Sequence, residues 1–160
     1  MTAGGSSIPA VQGLLRVLAA GRRVAELGTA FGDGAAAMAG TARQVVTVEL
    51  DPERAEVARE RLAGLPNVEL VVGDWLEVLP PRGPFELVFA DGGLRASGVW
   101  EAALGLVEQG GLILKDDLTP GRAVDGDPVR EFLLGDPRLA AVEILTTPST
   151  AAILATRVDA

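Results

Sequence analysis

The chain has 160 residues, 48% of them apolar, with 22 acidic against 14 basic side chains and a formal charge of −8. That suits one domain with its own core, and it excludes a disordered chain. There is no Cys, His or Tyr, which excludes thiol nucleophiles, disulfides, imidazole bases, histidine-ligated zinc and phenolic acids.

Ile8, Val11, Leu14, Leu15 and Leu18 share one helical face, which predicts an amphipathic helix over residues 8–18. Arg23–Leu27 reads as the first strand, residues 32–39 as the helix after it and residues 45–49 as the second strand. Asp51 then caps a helix running to about residue 62, with Pro52 at its first position. Val68–Val72 is a third strand, ended by Gly73-Asp74. The run Pro80-Pro81-Arg82-Gly83-Pro84 breaks the chain before a buried fourth strand, Phe85–Ala90. Residues 97–108 read as a helix that Gly110-Gly111 stops, and a fifth strand begins at residues 112–114. A loop rich in Pro, Gly and Asp spans residues 117–126, a short helix residues 128–134, and two more strands residues 140–145 and 151–157.

Strands alternating with helices predict a single-domain α/β fold, doubly wound and Rossmann-like, with a mostly parallel sheet. The last two of its seven strands have no helix between them and are expected to form an antiparallel hairpin at the sheet edge. No apolar stretch reaches the about 18 residues of a membrane span. The opening MTAGGSS lacks the features of a signal peptide. A cytoplasmic protein with no membrane partner is therefore expected. The acidic balance, with no basic run, argues against nucleic acid as a partner.

In open α/β sheets ligands bind outside the carboxyl ends of the strands. Those ends read Glu26-Leu27-Gly28, Glu49-Leu50, Gly73-Asp74-Trp75, Asp91-Gly92-Gly93 and Asp116-Asp117, so each of the first five carries a carboxylate. Any one of these could simply start a loop or cap a helix. Five on one sheet edge point to a ligand site. The first turn, Val24 to Gly34, places Gly28, Gly32 and Gly34 where the backbone can approach a ligand closely. The carboxylate of Glu49 suits the paired hydroxyls of a ribose. The glycine spacing departs from the G-x-G-x-x-G of dinucleotide sites, which disfavours a nicotinamide cofactor.

These motifs resemble the class I S-adenosylmethionine-dependent methyltransferases, and within them the cation-dependent O-methyltransferases of the catechol and caffeoyl-CoA type. Glu26-Leu27-Gly28-Thr29-Ala30-Phe31-Gly32 is similar to their first motif and Thr47-Val48-Glu49-Leu50-Asp51-Pro52 to their second. Val72-Gly73-Asp74, Leu87-Val88-Phe89-Ala90-Asp91 and Gly110-Gly111-Leu112-Ile113-Leu114 with Asp116-Asp117 resemble the next three. Val129-Arg130-Glu131-Phe132 with Asp136-Pro137-Arg138 is similar to their penultimate helix, so the resemblance runs over residues 8–157.

The resemblance implies that S-adenosylmethionine is bound by Glu26, Gly28, Thr29, Gly32, Gly34, Glu49, Leu50, Asp74, Trp75 and Asp91. Glu49 would serve the ribose hydroxyls and Asp74 the adenine amino group. Trp75 would lie beside the adenine, or simply pack. It implies O-methylation of a small phenolic or catechol-like acceptor, with Asp91 as the catalytic candidate. Asp91, Asp116 and Asp117 would be ligands of Mg²⁺ or another divalent cation. The alternative is that Asp116 and Asp117 shape a loop and Asp91 contacts the cofactor.

Two departures stand out. Leu94 occupies the position of the family's basic lysine, and the only lysine, Lys115, adjoins Asp116, whose charge opposes loss of its proton. Only one helix precedes the first strand, which leaves the acceptor pocket open or completed by a second subunit of a homodimer. A non-catalytic S-adenosylmethionine-binding module is the other reading these departures allow.

Overall fold

In a computed structural model, residues 7–91 and 98–158 are described. Seven strands form one sheet in the order β3-β2-β1-β4-β5-β7-β6. They are β1 (Arg23–Leu27), β2 (Gln44–Glu49), β3 (Val68–Val72), β4 (Phe85–Ala90), β5 (Val107–Leu118), β6 (Leu139–Thr147) and β7 (Thr150–Arg157). β1 to β5 pair in parallel, whereas β7 pairs antiparallel with β5 and β6, so the expected terminal hairpin is present and β6 is the sheet edge.

The helices are α1 (Pro9–Leu18), α2 (Asp33–Ala39), α3 (Pro52–Leu62), α4 (Trp75–Val78), α5 (Val99–Gly105) and α6 (Pro128–Gly135). Strand alternation feeds two cores. Val24, Leu87 and Phe89 face Val11 and Leu15 of α1, Met38 of α2 and Leu62 of α3. Ala25, Val88 and Ala90 face Leu79, Trp100 of α5 and Leu133 of α6. Both faces of the sheet are thus covered, as near-continuous apolar strands require.

The largest boundary differences from the sequence reading lie before and within the fifth strand. The helix expected over residues 97–108 is confined to Val99–Gly105, its expected first residue lying outside the described residues. The fifth strand starts at Val107 rather than residue 112 and runs twelve residues. The cause is a bulge: Val107 pairs with Phe85 and Leu112 with Leu87, so the intervening residues of β5 loop out of register. Gly110, at φ 76°, makes that bend. The short helix α4 was not expected; Asp74 creates it by accepting the amide of Leu76 at 2.9 Å.

Candidate active site

β1 lies between β2 and β4, where the strand order reverses, and the crevice at such a switch point is the ligand site of open α/β sheets. The chain leaving β1 is latched to β2, the amides of Gly28 and Thr29 both donating to the carbonyl of Val48, at 3.0 and 3.1 Å. Gly28 has φ 94°, and a Cβ there would meet only the carbonyl of Asp91, at 4.0 Å. The backbone of the turn therefore faces open space, bordered by the end of β4.

Glu26 lies beneath this turn, 2% exposed. The hydroxyl of Thr47 donates to it at 2.5 Å and shares a 2.6 Å hydrogen bond with Thr29, so a buried polar chain joins β1, β2 and the turn. Burial pushes the Glu26 carboxyl up to about 8; the Thr47 hydrogen bond opposes this, and the charges of Asp91 and Glu49 reinforce it. Gly34 is required here because a Cβ would overlap Glu26 Oε1. Glu26 and Gly34 thus act as the floor of the turn, with Thr29 buried among them.

Glu49, 6% exposed, ends β2. Its Oε2 accepts the amide of Ala30 at 2.8 Å and its Oε1 that of Asp51 at 3.0 Å, which locks the carboxylate between the two loops. A carboxylate offers about four lone-pair sites, so this one retains capacity for a pair of ligand hydroxyls. Leu50 follows it, 72% exposed. Gly28, Glu49 and Asp74 follow one another along the carboxyl edge as a ledge at the ends of β1, β2 and β3; there Asp74 is exposed and caps α4, while Trp75 is half-buried and packs on the core beneath α4. Packing therefore accounts for much of Trp75.

Asp91 follows directly after β4 and couples electrostatically to Glu26. Asp116 is 6% exposed, and burial holds its carboxyl above the usual range, against the hydrogen bond from Asp117 and the charge of Lys115. Asp117, by contrast, is exposed, with φ 62°. Among the described residues no three Asp or Glu side chains are drawn together as a metal site. Leu94, the departure at the lysine position, falls outside the described residues.

Beside the ledge, past the end of β5, lies a cleft of about 490 Å³ lined by Lys115, Asp117, Thr119, Arg122, Asp127 and Arg130, among others. None of the turn or ledge residues lines it, so it is a second compartment. It adjoins the first because Lys115 pairs in register with Ala90, the residue before Asp91. Lys115 is 3% exposed, and its Nζ donates to the carbonyl of Asp116.

Arg130 is 1% exposed and forms a fork of ion pairs. Its Nε and Nη2 donate to Glu143 at 2.8 and 3.1 Å, Nη1 to Asp127 at 2.5 Å, and Nη2 also to the carbonyl of Thr119 at 2.7 Å. Partial burial works against ionisation of Asp127, but the hydrogen bonds and charge of Arg130 prevail and hold that carboxyl below its ordinary range. The sequence reading carried Thr47 and Arg130 only as members of motifs and gave neither a role. A lone Thr inside Val-Val-Thr-Val was the signal for the first, and an Arg two residues after the helix-starting Pro128 for the second.

The fold and the switch-point site define a Rossmann-like nucleotide-cofactor domain. The chain belongs to the methyltransferase-domain family, whose sequence profile, described as "Methyltransferase domain", matches residues 24–109. It is 38% identical over 131 residues to a catechol O-methyltransferase from Mycobacterium tuberculosis, covering 74% of this chain and 60% of that protein. Over 68 residues it is 44% identical to a protein-L-isoaspartate O-methyltransferase from Methanoculleus marisnigri, covering 41% of this chain and 31% of that one. Among solved structures it is similar to the O-methyltransferase TomG from Streptomyces achromogenes, crystallised with S-adenosylmethionine. The identity is 27% and the TM-score 0.78, covering 99% of this chain and 84% of that one. The chain thus spans less than two thirds of the length of these curated relatives.

Proposed function

We propose that the chain binds S-adenosylmethionine on the ledge formed by Gly28, Glu49 and Asp74 and methylates a hydroxyl oxygen of a small molecule held in the adjoining cleft. When bound, the cofactor supplies an activated methyl group on a sulfonium sulfur. Glu49 accepts hydrogen bonds from the ribose hydroxyls, and Asp74 those of the adenine amino group. Gly28 lets the amino-acid portion lie against bare backbone. Asp91, between ledge and cleft, is the carboxylate we assign to the reacting centre. The family membership, the likeness to a catechol O-methyltransferase and the likeness to an S-adenosylmethionine-bound O-methyltransferase all support this reading.

The observation that carries it is the Glu49 carboxylate at the end of β2, locked by amides of the loops after β1 and β2 beside the open turn at Gly28. Positioning of the acceptor falls to the cleft walls, and Asp91, Asp116 and Asp117, after the end of β4 and along β5, would supply oxygen ligands to a divalent cation that assists the reaction. Rate acceleration then comes from in-line alignment of the acceptor oxygen with the methyl group. The phenolic or catechol-like acceptor rests on the Mycobacterium relative. The net charge of −8 is unfavourable for nucleic-acid acceptors. The exposed loop walls leave room for a second copy of the chain to complete the cleft, and sedimentation of the pure protein decides between monomer and homodimer.

Calorimetric titration with S-adenosylhomocysteine tests the cofactor half. Micromolar binding is expected, weakened about ten-fold or more by Glu49→Gln, which loses a charge-assisted hydrogen bond. A silent titration of the wild-type protein would refute the assignment.

A further inference from the structure

We infer that Arg130 is a positioning residue for the acceptor: its fork fixes the loop of residues 119–127 as a wall of the cleft, without touching the cofactor ledge. The inference rests on the proposed function for the word acceptor, but its physical basis is separate. The loop reads Thr-Pro-Gly-Arg-Ala-Val-Asp-Gly-Asp, and Gly121 to Gly126 are all exposed, so it has no core of its own. Such a segment keeps one shape only where its ends are tied. Arg130 ties both ends at once, Thr119 through its carbonyl and Asp127 through its carboxylate. It is braced in turn by Glu143 on β6, thirteen residues further along the chain.

The other ties of the loop are local. The amide of Gly126 donates to Glu131 at 2.8 Å and that of Asp127 to the carbonyl of Val124 at 3.1 Å. They shape the end of the loop without joining it to the sheet. Arg130 is also the residue whose planar geometry is needed, because a lysine cannot serve a bidentate carboxylate, a second carboxylate and a carbonyl together. Four of its five N–H donors are engaged in this way, and the residue itself lines the cleft. Thr119, Arg122 and Asp125 of the loop line the same cleft, so a displaced loop changes the acceptor wall. The turn residues Gly28 and Glu49 depend on none of these contacts.

Two variants test this: Arg130→Lys, which keeps the charge and loses the fork, and Glu143→Gln, which leaves Arg130 in place and removes its brace. Hydrogen–deuterium exchange on the variants loaded with S-adenosylhomocysteine should show amides of residues 118–127 exchanging at least ten-fold faster, with β1, β2 and β4 unchanged. Affinity for S-adenosylhomocysteine should stay within two-fold of wild type. With catechol as the probe acceptor, KM should rise at least ten-fold while kcat stays within two-fold.

Protection of residues 118–127 retained in Arg130→Lys would overturn the inference, as would faster exchange spread evenly over the sheet. A fall in kcat with KM unchanged would do the same. Failure of the wild-type protein to bind S-adenosylhomocysteine refutes the cofactor assignment instead, and lack of wild-type catechol turnover refutes the phenolic acceptor. In both cases the exchange arm on unloaded protein still decides the role of Arg130.

Discussion

Glu26 shows how a single buried carboxyl can couple the floor of a binding turn to pH. In the unfolded chain it titrates near its ordinary 4.5, and in the fold burial raises it to about 8. The folded state therefore holds a proton that the unfolded state gives up between those values. Its favourable contribution is fully present below about 4.5 and is lost progressively as pH rises through about 8. Glu26→Gln keeps an acceptor for the Thr47 hydroxyl and cannot ionise. Melting curves from pH 5 to pH 9 should show the variant gaining on the wild type as pH rises, with the gap levelling off above the folded midpoint. A gap independent of pH would mean that Glu26 is not protonated in the fold. Glu49, six-hundredths exposed and locked by two amides, plays the complementary part of a carboxylate presented to a ligand.

Among the elements, β5 carries the least obvious design. Its bulge lets one strand follow α5 directly and still deliver Lys115 and Asp116 to the carboxyl edge. Gly111 sits at the tightest point, where a Cβ would stand 2.8 Å from the carbonyl of Glu108, 2.8 Å from Cγ1 of Val107 and 3.2 Å from the carbonyl of Glu86. Two of those three atoms are backbone, so the strain cannot be relieved by a rotamer change. Gly111→Ala should cost about 2 kcal/mol in chemical denaturation, an overpacking penalty. A neutral result would mean that the bulge is pliable.

The same element marks the limit of what the sequence discloses. Local signals made Arg23–Leu27, Val68–Val72 and Phe85–Ala90 readable, since each is a short apolar run closed by Gly or Asp. Glu108-Gln109-Gly110-Gly111 is locally a helix stop. Only the pairing of Val107 with Phe85, twenty-two residues earlier, turns it into strand. Glu49 was legible because a carboxylate ending a strand is a local pattern. Arg130 was not, because its partners Thr119 and Glu143 lie on other elements.

At the scale of the molecule, two compartments share one sheet edge and draw on different halves of the chain. The ledge is built by residues 26–74, within the span that matches the family profile, and the cleft by residues beyond it. Similarity to relatives with different named acceptors is consistent with that division. Cofactor binding should therefore stabilise the whole sheet through its centre. At a hundred-fold excess over its dissociation constant, S-adenosylhomocysteine should add about 2.7 kcal/mol, a rise in Tm of roughly 5–10 °C for a chain of this size. A melting point insensitive to the ligand would contradict a ledge at the ends of β1, β2 and β3. Among the described residues no helix is long and apolar enough to cross a membrane.

The cleft has one further property. Its lysine, Lys115, is the only side-chain primary amine in the molecule, and it is 3% exposed. Reagents that acylate, alkylate or cross-link side-chain amines thus have a single target in the chain, and it lies on the wall of this cleft. Surface conjugation through lysine is closed to this protein, whereas any side-chain amine label that does attach reports from inside the cleft.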